Sequence, residues 1–207
     1  MTKLFYAPGS CALGIHVLLE EIGAPFELVK VNLAAREQYA PDYVKINPKS
    51  KVPALMRDDG SVLTEWPAIA TWLALNHPDK NLLSLEKEQL ARTLEAVDYV
   101  CASLHMQGFT RIWKPEAFAP TETDKPAVKA RGQEIVNQGL AWFDGVLAGK
   151  DYLGGAQMSI ADAALFYLEF WVAERLKQPL PAHVGAHYAR MKARPAVAKA
   201  LSDEGLA

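Results

Sequence analysis

Short alternating or continuous apolar runs take turns with helical spacing through the first part of the chain; beyond it the spacing is helical throughout. Lys3 to Tyr6 is a brief apolar run halted by Ala7-Pro8-Gly9-Ser10, which predicts a strand and a turn. From Cys11 to Ile22, Leu13, Val17, Leu18 and Ile22 fall at helical intervals, closed by Gly23. Phe26 to Val31 alternates and is rich in strand formers. Residues 35–46 are polar and irregular, predicting a loop with a short helix. Val52 to Met56 and Val62 to Thr64 flank Arg57-Asp58-Asp59-Gly60-Ser61, a hairpin signature. Pro67 then opens a helix at the position where its missing N–H is harmless. The order β-α-β-(α)-β-β-α requires one parallel pair, across the first helix, and an antiparallel hairpin.

The remainder predicts an all-α unit. Leu90, Leu94, Val97, Cys101 and Leu104 step by three and four residues as one apolar stripe. Val128 to Leu147 predicts a second helix with Ile135, Leu140, Phe143 and Leu147 inward. Ser159-Ile160-Ala161-Asp162 has the form of a capping box. It opens a segment running to Trp171 that is apolar nearly all round and so belongs in the centre. A late helix is expected near Ala186 to Ala193, and Pro195 starts another. His77 to Ser84, with Pro, Asp, Lys and Asn, reads as a connector; the division we expect is residues 1–80, a linker 81–86, and 87–207.

Composition adds exclusions. The 207 residues are 50% hydrophobic and 22% charged, with net charge -2, and mean hydropathy is -0.03. That balance argues against nucleic acid as a partner, and no apolar run is long enough to span a bilayer. The first residues lack a signal-peptide pattern, so the cytoplasm is the expected location. Cys11 and Cys101 are too few for a disulfide framework. His183 and His187 share a helical face but lack a nearby acidic or cysteine ligand, so no metal is expected, and no nucleotide either.

Three segments carry candidate chemistry. Cys11 begins a helix, where the dipole and free N–H groups favour thiolate, so a lowered pKa is expected; a small buried residue at a tight corner fits the position equally well. Ser10 and Tyr6 are competing hydroxyls there. Pro53 opens a strand and, if cis, leaves the backbone of Val52 free for an extended ligand; an ordinary edge proline fits the tripeptide as well. Glu65 and Trp66 precede a helix whose free N–H groups suit a carboxylate, with Glu65 suited to an amine; a plain acidic cap is the alternative. Cys101 reads as an inert core thiol, and His16 as a structural ring without an acid–base partner.

Together the segments describe an extended ligand bearing a thiol, an amine and a carboxylate. The chain resembles the cytosolic glutathione transferases, and among them the bacterial beta class. The resemblance is carried by Leu4–Cys11, Val44–Leu55, Leu63–Ile69, Leu104-His105 with Gly108-Phe109-Thr110, Ser159–Ala163 and Leu201–Leu206, in that order. It implies a thioredoxin-like N-terminal domain with cis-Pro53, an all-α C-terminal domain, glutathione as co-substrate and a homodimer. By resemblance, Cys11 lies beside the glutathione sulfur, with His105 and Tyr6 as further sulfur partners. Val52 pairs through its backbone, Glu65 and Trp66 hold the γ-glutamyl end, Arg36 and Lys51 reach a carboxylate, and Asp98 reaches the neighbouring subunit's glutathione. Phe109, Trp113 and Phe118 are candidates for a second-substrate pocket. Trp66 departs from the family's small residue and is expected to set a ring at the pocket rim. The activity implied is attack of the glutathione thiolate on small electrophiles; the alternatives are a disulfide reductase working through a Cys11 mixed disulfide, or a non-enzymatic carrier of glutathione or apolar ligands.

Overall fold

The computed structural model describes residues 1–207. Strand β1 (Thr2–Tyr6) leads into α1 (Ala12–Ile22), β2 (Phe26–Lys30), α2 (Pro41–Ile46), the hairpin β3 (Ala54–Met56) and β4 (Val62–Thr64), and α3 (Trp66–Asn76). The sheet order is β2-β1-β3-β4, with β1 parallel to β2 and antiparallel to β3. Alternation along β1 explains the two layers. Leu4 and Tyr6 face the large core with α1, whereas Phe5 packs with Val31, Tyr43 and Ala54 beneath α2. The predicted order of the N-terminal elements is the observed one, but β3 begins at Ala54, which leaves Val52 and Pro53 outside the ladder.

A 3-10 turn (Pro78–Lys80) ends the sheet-bearing part, and α4 (Lys87–Asp98) begins the helical part. The chain then widens into π winding over Tyr99–Phe109 before a last α turn, α5 (Thr110–Trp113). The apolar stripe expected here is corrected: Thr93, Ala96, Val97, Val100 and Leu104 are buried, while Leu94 is exposed. The buried line runs beside Leu94 and continues past Asp98 at Val100 and Leu104. Helix α6 (Lys125–Leu147) and α7 (Ile160–Phe170) follow, with π winding again over Trp171–Arg175, then α8 (Ala182–Lys192) and α9 (Pro195–Asp203). Helix α8 starts earlier than the sequence suggests, directly after Pro181.

Every residue of α7 is buried, its apolar positions as the sequence predicts and Asp162 and Glu169 along with them. Its start is the predicted capping box: Ser159 Oγ accepts from Ala161 N, and Asp162 Oδ2 accepts from Ser159 N at 2.7 Å. Helix α1 lies directly on α7 at Gly14, where a Cβ would stand 2.6 Å from the Ala163 carbonyl oxygen and 2.9 Å from the Trp66 ring. Leu4 and Leu55 of the sheet, α1, α7 and Leu201 of α9 therefore share one continuous hydrophobic core. Burial at this scale, about 25 cal/mol per Å² of apolar surface, is what fixes the two parts against each other. No helix is long and apolar enough to cross a membrane.

Candidate functional site

The corner between β1 and α1 is built by local hydrogen bonds. Ser10 N donates to Ala7 O at 3.0 Å, and Ser10 Oγ accepts from Ala12 N at 3.2 Å. Ser10 Oγ thus accepts from the first N–H of α1, just before the Cys11 N-cap. Gly9 has φ 66, the left-handed region that favours glycine, and a Cβ on it would push aside the end of the Arg175 side chain. The helical part clamps this residue on both sides: Trp171 Nε1 donates to Gly9 O at 2.8 Å, and Glu204 Oε2 accepts from Gly9 N at 2.7 Å.

Cys11 is buried at the N-cap of α1 and its thiol donates to Val52 O, with Sγ 3.6 Å away. The expected lowering of its pKa is corrected. Burial pushes the Cys11 thiol up to about 12, with Cys101 adding to the rise, while the N–H groups of Cys11 and Ala12 and the charge of Lys51 pull it down. Desolvation therefore outweighs the helix dipole. At neutral pH Cys11 is a neutral hydrogen-bond donor. Its alkylation by iodoacetamide, localised by mass spectrometry, is expected to rise about tenfold per pH unit from pH 6 to 10. An inflection below pH 8 would show a thiolate already present.

Opposite Cys11, the Val52–Pro53 bond is cis, as the resemblance implied. Asn47 Nδ2 donates to Lys51 O at 2.8 Å and the Tyr43 hydroxyl donates to the same oxygen, which fixes the approach to Val52. Val52 N–H makes no hydrogen bond within the chain. The Lys51 side chain is exposed. Glu65 is exposed at the N-cap of α3 with φ 70, a backbone setting that costs a non-glycine residue about 1–3 kcal/mol and clusters at functional sites. Its Oε1 accepts from Lys49 Nζ at 2.8 Å, a partner the sequence did not single out. The N–H groups of Trp66 and Ala68 are left free at the start of α3.

The ring of Trp66 does not sit at a pocket rim. It is buried, donates from Nε1 to Cys11 O at 3.0 Å, and lies 6.0 Å from the Tyr167 ring. The space comes from Gly14, whose missing side chain admits the indole. Trp66 is thus a strut beneath Cys11, and only its backbone remains available at the site.

From the helical part, His105 arrives on the π-wound segment. Burial lowers its pKa to about 4, helped by the charge of Lys51, so the ring is neutral. Tyr167, fully buried, places its hydroxyl 3.5 Å from His105 Nδ1 and 3.7 Å from Cys101 Sγ. Cys101 is half-buried rather than lost in the core, and its thiol is also pushed up to about 12 by burial. Trp171 joins the group, with its ring 4.8 Å from His105, 4.9 Å from Tyr167 and 4.8 Å from Trp113. Tyr167 and Trp171 were missed in the sequence; the signal was two polar-tipped rings in and just after the buried central helix, each needing a partner when buried.

The remaining candidates scatter. Phe109 is fully buried against Trp113 and Trp171, so it supports a pocket wall rather than lining one. Trp113 is exposed, and Phe118, also exposed, is covered on one face by the Arg111 guanidinium at 4.1 Å. Arg36 is exposed and stacks over Tyr39 at 5.1 Å. Asp98 is exposed at the end of α4. Tyr6 is turned toward His16, whose ring is 6.2 Å away; burial and the charges of Glu204 and Asp203 raise its pKa, and no hydrogen bond joins it to Cys11. The reading of His16 as a ring without partners is corrected: Glu204 Oε1 lies 3.0 Å from its Nδ1. A cleft of about 880 Å³, bordered by Arg92, Trp142 and Lys150, shares no lining residue with the Cys11 corner.

Comparison with known proteins bears on this geometry. Residues 9–75 match the family model for the glutathione S-transferase N-terminal domain, and residues 126–199 match that for the C-terminal domain. The chain is 38% identical over 207 residues to glutathione S-transferase GstA of Escherichia coli O157:H7, covering 99% of both chains. It superposes on a sphingomonad glutathione S-transferase complexed with glutathione at TM-score 0.81, with 37% identity over 99% of this chain and 100% of that one. A bacterial beta class glutathione S-transferase of Sphingomonas chungbukensis gives TM-score 0.82 and 34% identity, again over 99% and 100% of the two chains.

Proposed function

Because this chain belongs to the glutathione S-transferase family and is a glutathione transferase, we propose that its glutathione lies along Val52–Pro53 with the sulfur at the Cys11 corner. The observation that carries this reading is the pairing of Cys11 Sγ with Val52 O beside an unpaired Val52 N–H. An extended peptide fits such a backbone edge, which offers one donor and one acceptor. Glu65 and the free N–H groups at the start of α3 suit the γ-glutamyl amine and carboxylate at the other end. Arg36 and Lys51 are the cations proposed for the glycyl carboxylate.

In this reading Cys11 acts as a donor. Its S–H turns from Val52 O to the glutathione sulfur, and the N–H groups that begin α1 add positive potential. Lowering a thiol pKa from about 8.5 to about 7 raises its thiolate fraction at pH 7 from about 3% to about half. Neutral His105, held by Tyr167 and Trp171, is the proposed second donor. The thiolate then forms a bond to an electrophilic carbon whose leaving group departs with the electron pair; holding the two reactants together supplies much of the rate. Trp113 is the proposed apolar wall for that electrophile.

The test pairs two substrates. In Cys11→Ala, conjugation of a chloronitrobenzene is expected to fall only about fivefold, the worth of one weak S–H donor near 1 kcal/mol. Reduction of a hydroxyethyl disulfide, if wild type has it, is expected to disappear, because it requires sulfur at that position. Loss of both activities to below a hundredth would mean that Cys11 is the essential nucleophile. Glutathione retention with neither activity in wild type would favour a carrier.

We further propose the division into residues 1–80, a linker 81–86 and 87–207, a cytoplasmic location, and a homodimer in which Asp98 faces the neighbouring subunit. Its support is the exposed carboxylate at the end of α4. Sedimentation at the mass of a single chain would remove the dimer.

A further inference from the structure

Between one and two turns beyond Cys11 along α1, one imidazole and three carboxylates meet. His16 and Glu20 lie one turn apart on a single face of α1, and Asp203 closes α9. His16 is fully buried, and its Nε2 has no hydrogen-bond partner. That nitrogen is 3.7 Å from Glu20 Oε1 and 3.9 Å from Asp203 Oδ2. All three ligand atoms fall within 4.8 Å of one another. The other ring nitrogen, Nδ1, is 3.0 Å from Glu204 Oε1. The edges of the His16 ring are held by Phe26 at 5.7 Å and Tyr6 at 6.2 Å between centroids.

We propose that His16, Glu20 and Asp203 form a binding site for a divalent transition ion of the zinc class. The two separations from His16 are nearly those required, and the Glu20 and Asp203 oxygens lie within 4.8 Å of each other. Bonds of about 2.1 Å in a tetrahedral shell separate ligand atoms by about 3.4 Å, so the two His16 separations need close by only a few tenths of an ångström. The second layer is also in place. A carboxylate on Nδ1 puts the ring proton there and directs the Nε2 lone pair at the other two acids, the arrangement that orients metal-binding histidines. A nitrogen and two hard oxygens without a thiolate suit Zn²⁺ or Co²⁺ over Cu(I), and the nitrogen disfavours Mg²⁺ and Ca²⁺.

Charge supports the same assignment. Glu20, Asp203 and Glu204 face one imidazole and one ammonium, that of Lys199, whose Nζ is 3.0 Å from Glu20 Oε1 and also pairs with Asp203. The ammonium holds the cation position with a flexible, half-exposed side chain. A metal ion displaces it into solvent still protonated, and any proton on Nε2 leaves as the metal bond forms. Because Glu204 also accepts from Gly9 N, the ion would stiffen the corner that carries Cys11.

The test uses the full chain without glutathione, which itself chelates zinc. Calorimetric titration with ZnCl₂, and visible absorption with CoCl₂, are expected to show one saturable equivalent. Asp203→Asn, a change at a partly exposed position, is expected to weaken binding at least tenfold. Lys199→Ala removes the competitor and is expected to tighten it, while both variants keep wild-type conjugation of a chloronitrobenzene in metal-free buffer. His183→Ala, at the exposed histidine beside Asp144, is expected to leave affinity unchanged. Absence of a saturable equivalent, affinity unaltered by Asp203→Asn, or loss in His183→Ala overturns the assignment.

Discussion

Asp162→Ala is expected to lower folding stability by about 3–5 kcal/mol, the range for breaking a buried charged network by removing one member. The carboxylate has no exposed surface and all its contacts are internal. Oδ2 accepts from Ser159 N at 2.7 Å and from Ser159 Oγ at 2.8 Å. Oδ1 accepts from Leu153 N at 2.7 Å and pairs with His187 Nε2 at 3.2 Å. Alanine would orphan two backbone donors, Ser159 N at the start of the central helix and Leu153 N in the loop before it, and leave His187 with Glu169 alone, 2.8 Å from Nδ1. Burial by itself would lower the His187 pKa, but the charge of Glu169 and the hydrogen bonds to Asp162 and Glu169 raise it to about 10. A histidine whose folded pKa lies above its unfolded value stabilises fully below about pH 6.5, and loses that contribution as pH rises through about 10. Urea midpoints at pH 7 and pH 9.5 should therefore show the wild type losing stability with alkali and the variant losing less. Asp162→Asn keeps an acceptor and should fall between. A cost under about 1 kcal/mol in Asp162→Ala would mean that the network is already broken in solution.

Glu65→Ala is expected to raise the glutathione Kd by thirtyfold or more, corresponding to about 2 kcal/mol or above for removing one member of a charged hydrogen-bonded pair. The carboxylate is held away from the core by its own backbone setting and by Lys49, so the substitution touches no packing. An exposed Glu65–Lys49 pair contributes little to folding, and thermal unfolding should stay close to wild type. Glu65→Gln retains an acceptor without charge and should recover part of the affinity. Binding titration checks both. A Kd within threefold of wild type in Glu65→Ala would place the ligand amine elsewhere.

How far these properties could be read from the chain depends on whether they are written in local pattern. The strand-helix order was legible because Pro8-Gly9, Gly23 and Asp59-Gly60 punctuate it and the apolar period switches between them. The capping box was legible because both members are close in sequence. Winding was not: nothing in the spacing around Tyr99 announces a π helix. Leu94 was assigned inward from its steps to Leu90 and Val97, yet the buried line of α4 runs through Thr93, Ala96 and Val97 and leaves it exposed. At the candidate site, Cys11, Val52 and Glu65 were found because each sits at an element boundary. The charge state of Cys11 was misjudged because the helix dipole is visible in sequence and desolvation by a distant helix is not. Trp66 was misplaced for the same reason, since its cavity is made by Gly14 and by α7. His16 looked unpartnered because its acids come from the other end of the chain.

Gly9 depends on residues remote from it, and this bears on protein engineering. Its amide is bound by Glu204 and its carbonyl by Trp171. Transplanting the sheet-bearing half onto a helical half from a relative would import a loop whose shape is dictated by someone else's indole and carboxylate. Recombination libraries that cut between the halves would have to treat Gly9, Trp171 and Glu204 as one inherited unit, though nothing in their sequence neighbourhood marks them as kin.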